Sequence, residues 1–535
     1  MACRVDSDPV QSPFILTELI TIIQDILGFD REEDKQLYVK TSSDKGAVIF
    51  IPKIRKHLEQ KLLELLPPPD NNSKDYQVFN FCEKYLEELI KTVNQKLPQK
   101  YIHHFDLIYN KKLCAITAHL HINELVSECM KQLTYLDHDK TSIPQDNFVI
   151  INICCIELGQ EIHTCTLDGY RNNLFCLAMR NLLRLTGNSA VFLDSCEYRL
   201  DLKRVRRQAE HIYKRCQDTG SLLEGESKIV VQSLHAKLKY TSKSYQTQNQ
   251  YQIQLRDRYG RYSLKIMLAS IILLMFKATE LQDTVRIVLY FSHKLRDLVL
   301  KSLHILYSLE LINSSVDIIT HSDTLSTHSE YTALMESRRD YLHKTLLERV
   351  EGEYSADNTS LVEKARKLCE STTKLDLLSQ TVKHEIKLVS NDKIGTHFSM
   401  FVLYNYARMT QILYRFQQLR EEGVYGALPQ VSHPDFNLLE LPNEWSIFVK
   451  YILLFPDLLK ESSNILQHNS ISNICNFLVS LTQHFSTYYS KTKILTQSGA
   501  HLHPKVFARI QLISSLKRVM EICFRILEIS PLHQL

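Results

Sequence analysis

A chain of 535 residues is longer than one core usually organises, and its 44% hydrophobic and 23% charged residues give it ordinary globular composition, which argues against a disordered or fibrous class. The formal net charge is only +4, yet it is unevenly spread. Between Arg199 and Lys265, 15 Lys/Arg stand against 6 Asp/Glu, a concentrated basic segment of the kind nucleic-acid binders use.

In chain order, the first predicted element is a helix over Ile15–Leu27, then a strand over Gly46–Ile51 and a helix over Ile54–Leu66. Pro67-Pro68-Pro69-Asp70-Asn71-Asn72 breaks the pattern and reads as a linker or long loop. A middle region begins near Lys100. Its apolar run Phe148–Leu158 has the look of a strand buried on both faces. Tyr170–Leu185 carries Leu174, Leu177, Ala178, Leu182 and Leu185 at helical spacing, and Gly187-Asn188 supplies a helix stop. Ala190–Leu193 is a second strand, so the three elements predict a βαβ unit and a parallel sheet. The pattern recurs as Arg286–Phe291, Lys294–Leu309 and Val316–Thr320.

From about Glu330 onward the chain reads as helical. Phe398, Val402, Tyr406, Met409, Leu413 and Phe416 mark one apolar stripe. Ile471, Ile474, Leu478, Leu481, Phe485 and Tyr488 mark another, and Val506, Ile510, Ile513, Met520, Phe524 and Leu527 a third. The expected architecture is an α/β domain followed by an all-α bundle. The domain divisions are 1–99, 100–330 and 331–535.

The chain contains no Gly-x-Gly-x-x-Gly, no phosphate-binding P-loop, no His-Glu-x-x-His and no Gly-x-Ser-x-Gly. His119-x-His121 and His501-x-His503 lack a third ligand nearby in sequence, so no metal is expected. The 13 cysteines are scattered with no Cys-x-x-Cys pair, which suits reduced thiols and a cytoplasmic setting. Met1–Phe14 carries Asp6 and Asp8 and no apolar stretch, so no secretory signal is expected. The longest apolar run, Ile266–Phe276, falls short of the ~20 residues of a membrane-spanning helix.

One predicted helix separates charge from apolar surface. In Leu202–Cys216, steps of ~100° put Lys203, Arg204, Arg207, His211, Lys214 and Arg215 on one side. Leu202, Val205, Ala209, Ile212 and Cys216 fall on the other, leaving a positive stripe for phosphates. A solvated helix face would also hold charges, but solubility does not require one sign. Leu234–Lys265 then mixes lysines and arginines with Tyr240, Tyr245, Tyr251, Tyr259 and Tyr262, a composition that suits unpaired bases or a polar loop equally.

Gly395-Thr396 followed by Phe401-Val402-Leu403-Tyr404-Asn405-Tyr406-Ala407-Arg408 resembles the segment that opens the helical domain of arginyl-tRNA synthetases. Leu454-Phe455-Pro456-Asp457-Leu458-Leu459 resembles that domain's phenylalanine-proline turn. Ile474–Leu495 is similar to its tyrosine-rich helix, and Phe507-Ala508-Arg509-Ile510, with Val519 to the end, to its DALR helix and closing helix. Together these residues resemble the vertebrate DALR anticodon-binding-domain-containing family more than any synthetase. The resemblance implies a helical tRNA-binding domain behind a degenerate class I synthetase-like region. It also implies a partner, a tRNA 3-methylcytidine methyltransferase directed to certain arginine tRNAs.

Class I synthetases place His-x-Gly-His after the first strand, where it holds the ATP phosphates. Here the matching place reads Thr166-Leu167-Asp168-Gly169-Tyr170-Arg171, and no His-x-Gly-His occurs anywhere in the chain. Asp168 would set a carboxylate where phosphates need cationic or neutral donors, a severe loss of electrostatic stabilisation. Ile318–Tyr331 offers Thr320-His321-Ser322-Asp323 and no lysine where a Lys-Met-Ser-Lys-Ser relative would lie.

The resulting expectation is a non-catalytic adaptor without a cofactor. Its tRNA contacts would be Lys203, Arg204, Arg207, Lys214 and Arg215 in the basic helix. The helical domain would add Tyr404, Asn405, Arg408, Tyr488, Tyr489, Lys491, Lys493, Arg509, Lys517 and Arg518. Thr166, Asp168, Gly169 and Arg171 would mark the degenerate ATP site. The alternatives are an arginine–tRNA ligase with an atypical site, and a protein scaffold without RNA. The scaffold gains some weight because Thr396–Leu535 holds 12 Lys/Arg against 9 Asp/Glu.

Overall fold

The computed structural model describes residues 38–42, 46–51, 91–92, 95, 102–109, 114–120, 129, 133, 147–153, 167–194, 238–240, 286–292, 296, 299–300, 303, 316–321, 324–325, 331–350, 358–381, 384, 386–387, 398–425, 438–464, 470–496 and 503–531. The expected helices at 15–27, 54–66 and 202–216 lie outside these residues. The chain forms two compact units, one of residues 1–138, 408–460 and 481–520, the other of residues 139–407, 461–480 and 521–535.

The first unit opens with an antiparallel sheet of β1 (Tyr38–Ser42), β2 (Gly46–Ile51), β3 (Ile102–Tyr109) and β4 (Cys114–Leu120), in the order β1-β2-β4-β3. Of these strands only β2 is marked by its sequence as expected above.

The second unit contains β5 (Asn147–Ile153), β6 (Ser189–Asp194), β7 (Leu238–Tyr240), β8 (Arg286–Ser292) and β9 (Val316–His321). Their order is β6-β5-β8-β9-β7, and every pairing is parallel. Phe148 to Ile151 and Ile287 to Phe291 are all buried. That explains why both strands read as unbroken apolar runs rather than alternating ones. β7 falls inside the basic segment and was not expected.

Helix α1 (Leu167–Leu185) connects β5 to β6 and completes the predicted βαβ unit. Phe175 on α1 stacks on Tyr290 of β8, with centroids 4.6 Å apart. Gly187 ends the helix with φ +88°, while the Asn188 amide donates to the Leu183 carbonyl. This is the left-handed glycine stop that Gly187-Asn188 predicts. Lys294–Leu309 is helical at its described positions, 296, 299, 300 and 303. A short parallel pair, β10 (Thr324–Leu325) with β11 (Ile386–Lys387), completes the strands among the described residues.

Among the described residues the further helices are α2 (Tyr331–Val350), α3 (Asn358–Ser379), α4 (Phe398–Glu421), α5 (Pro442–Phe448), α6 (Phe455–Ser462), α7 (Ser470–Lys491) and α8 (His503–Ile526). A π-helical turn, Val449–Leu453, follows α5, and the Leu454 amide donates to the Val449 carbonyl. Pro456, which has no amide hydrogen, then sits in the first turn of α6, where none is needed. α2 and α3 are joined by the buried Arg338–Asp376 pair at 3.0 Å, with Arg338 also donating to Thr373 at 3.1 Å. In the first unit Phe416, Tyr425, His503 and Phe507 form an aromatic cluster. Among the described residues no helix is long and apolar enough to cross a membrane.

Candidate nucleic-acid interface

The site grows from one interior carboxylate. Leu441-Pro442-Asn443-Glu444 starts α5 with proline in its first turn and glutamate three residues after the cap; Leu441 has no side-chain oxygen to cap the helix, so only the glutamate half of a capping box is present. Glu444 reaches back, and its Oε2 accepts the amide hydrogens of Glu440 (3.1 Å) and Leu441 (3.0 Å). Its Oε1 accepts from the Tyr488 hydroxyl at 3.0 Å and from Arg509 Nε at 2.8 Å. Glu444 is completely buried, so these four donors replace the water it gave up. Burial and the neighbouring carboxylate push the Tyr488 hydroxyl far above its ordinary pKa, so it stays a donor. Arg509 also donates from Nη1 to the Lys493 carbonyl at 3.1 Å.

Beside this interior network lies a basic, partly aromatic surface. Tyr489 is 39% exposed, and the Arg408 guanidinium lies 4.9 Å from its ring centroid. Lys491, the last residue of α7, and Lys493 are exposed, and among the described residues neither side chain forms an ion pair. Two other cations are already engaged: Lys505 with Glu440 at 2.6 Å, and Arg509 with Glu444. Arginine over tyrosine is a favourable contact in its own right, and Tyr489 also packs on Phe485, with ring centroids 6.0 Å apart.

The expected residues separate by burial. Tyr404 is 45% exposed on α4, while Lys517 and Arg518 are half-buried on α8. Asn405 and Tyr488 are buried, so neither side chain reaches a surface on which RNA could lie. Asn405 Nδ2 donates to the Phe401 carbonyl one turn back, and Tyr488 holds Glu444. Arg509, with its side chain 12% exposed, faces Glu444 rather than solvent. Arg171 is buried on α1 and donates to the carbonyls of Thr381 and His384 at 3.2 and 3.4 Å. Asp168 and Gly169 lie in the first turn of α1. Thr166 lies outside the described residues, as do Lys203, Arg204, Arg207, Lys214 and Arg215.

Glu444 was not anticipated, although the Leu-Pro-Asn-Glu pattern marks it. A second sequence signal was also missed. From Ser462 to Met520 there is no Asp or Glu, while Lys491, Lys493, Lys505, Arg509, Lys517 and Arg518 all fall there. The whole-domain charge, diluted by acids elsewhere, hides this local excess.

The chain thus combines a unit built on an all-parallel sheet with a helical region that carries a basic surface. Residues 402–535 match the family described as the DALR anticodon binding domain. It is 30% identical over 173 residues to "DALR anticodon-binding domain-containing protein 3" of Rattus norvegicus, covering 31% of this chain and 32% of that protein. The match thus spans about a third of that relative's length. A stretch of 129 residues is 26% identical to "Arginine--tRNA ligase" of Borreliella burgdorferi, covering 24% of this chain and 20% of the ligase. In fold, the chain is similar to the Thermus thermophilus arginyl-tRNA synthetase, with a TM-score of 0.55 and 13% identity. That similarity covers 97% of this chain and all of the synthetase chain (100%).

Proposed function

We propose that this protein is a non-catalytic tRNA-binding adaptor of the cytoplasm that recognises arginine tRNAs and brings a tRNA 3-methylcytidine methyltransferase to the anticodon loop. The observation that carries the reading is the Arg408–Tyr489 pair beside the exposed Lys491 and Lys493, inside a DALR anticodon binding domain. Cations hold a phosphate backbone while an aromatic or guanidinium face stacks on an unpaired base, and loops are where proteins read RNA sequence. Tyr404, Lys517 and Arg518 are further RNA contacts in this reading. Lys203, Arg204, Arg207, Lys214 and Arg215 hold phosphates elsewhere on the tRNA. Thr166, Asp168, Gly169 and Arg171 are remnants of an ATP site that no longer activates an amino acid. The sequence supports this last point, because it lacks His-x-Gly-His altogether.

The test is capture of the tagged protein from its own cells, with sequencing of bound RNA and identification of bound proteins. Arginine tRNAs and a methyltransferase are expected together, and reversing Arg207 and Lys214 to glutamate should release RNA. Proteins recovered without tRNA would replace the adaptor with a protein scaffold.

A further inference from the structure

We infer that Arg509 and Glu444 are positioning residues for RNA: they never touch it, but they fix the backbone that presents Lys493 and the turn that presents Tyr489. The inference rests on the RNA-binding reading of this surface. Lys493 follows the end of α7 and has no helical hydrogen bonds to set its place. Its carbonyl is held by Arg509 Nη1, at 3.1 Å. The same guanidinium is held by Glu444 through Nε, at 2.8 Å. Glu444 also holds Tyr488, the residue before Tyr489, at 3.0 Å. One buried carboxylate therefore fixes both the last turn of α7 and the segment beyond it. Its own position is set by the two amides at the start of α5. A lysine on a loose loop contributes little to a phosphate contact, because ordering it costs conformational entropy when RNA binds. A lysine whose backbone is already clamped avoids that cost.

Arginine is needed here for its geometry as well as its charge. Its planar fork offers separate N–H groups to Glu444 and to the Lys493 carbonyl. A lysine ammonium is one nitrogen on a stem without the planar fork, so it does not reproduce the two N–H positions that reach Glu444 and the Lys493 carbonyl here. Arg509→Lys keeps the positive charge beside Glu444 and releases Lys493.

The experiment measures binding of a fluorescent arginine tRNA transcript to the full chain across a salt series. Lys493→Gln should weaken binding roughly threefold to tenfold and flatten the salt dependence by about one phosphate contact. Arg509→Lys should reproduce both effects. The double variant should be no weaker than Lys493→Gln alone, because the two changes remove the same contact. Emission from the buried Trp445, the only tryptophan in the chain, reports whether the site stays folded. Glu444→Gln, which keeps the volume and weakens the ion pair, is the second variant and should shift the salt slope the same way. If Arg509→Lys leaves the slope unchanged, or its effect multiplies with that of Lys493→Gln, the positioning role is wrong. If removing both Lys491 and Lys493 changes neither affinity nor slope, the RNA-binding reading of this surface fails instead.

Discussion

Reversing Lys491 and Lys493 to glutamate should lower affinity for tRNA roughly a hundredfold. Each charge-assisted contact to a phosphate contributes about 1.5 kcal/mol, so losing two gives about 3 kcal/mol, or about two decades in Kd. Both side chains are exposed, so the substitutions leave no buried group without a partner. The fold should be unaffected, and the unchanged Trp445 emission would show it. The loss should shrink as salt rises, since exposed charges are screened within about 10 Å at 0.1 M. Titration of labelled tRNA at several salt concentrations checks both parts. A loss of less than about twofold at low salt would remove these lysines from the interface.

The second large effect is on stability. Glu444→Ala should destabilise the helical region by about 3–5 kcal/mol, the range for removing one partner of a buried ion pair. The carboxylate is fully buried and accepts four hydrogen bonds, so alanine strands a nearly buried guanidinium, a buried phenol and two amides. The triple substitution Glu444→Leu, Tyr488→Phe and Arg509→Met should cost far less, because it leaves no charge unpaired. Denaturant unfolding followed at Trp445 measures the change where it acts. Trp445 is buried one residue from Glu444, and its Nε1 donates to the Leu439 carbonyl at 3.0 Å. A loss below about 1 kcal/mol would mean that water or another donor replaces the network.

Much of this was legible in the sequence, for physical reasons that differ by element. β5 and β8 are buried on both faces and so appear as continuous apolar runs. α4, α7 and α8 show their inner faces through helical periodicity. That periodicity should also have decided two site residues. Tyr488 lies on the apolar stripe of α7, three residues after Phe485, and Asn405 lies three after Val402 on the inner face of α4. Their chemical types suggested RNA contacts, but position on the helix fixes burial first. Tyr489 and Lys491, just off that stripe, emerge at the surface.

The antiparallel sheet was harder to see. β3 reads Ile-His-His-Phe-Asp-Leu-Ile-Tyr, with polar residues breaking the simple alternation, and β4 alternates weakly. The Glu444 network was hidden for another reason. Its members are far apart in sequence, at 444, 488, 493 and 509, and no local pattern joins them. Only the cap at Leu441–Glu444 leaves a local trace.

The most direct measurement is the affinity of the purified protein for an arginine tRNA transcript beside that for an unrelated tRNA at the same salt. The account predicts tighter binding to the arginine tRNA, with the preference kept when its acceptor end is removed and lost when its anticodon loop is exchanged. Equal affinity for both tRNAs, or a preference that follows the acceptor end, would contradict it.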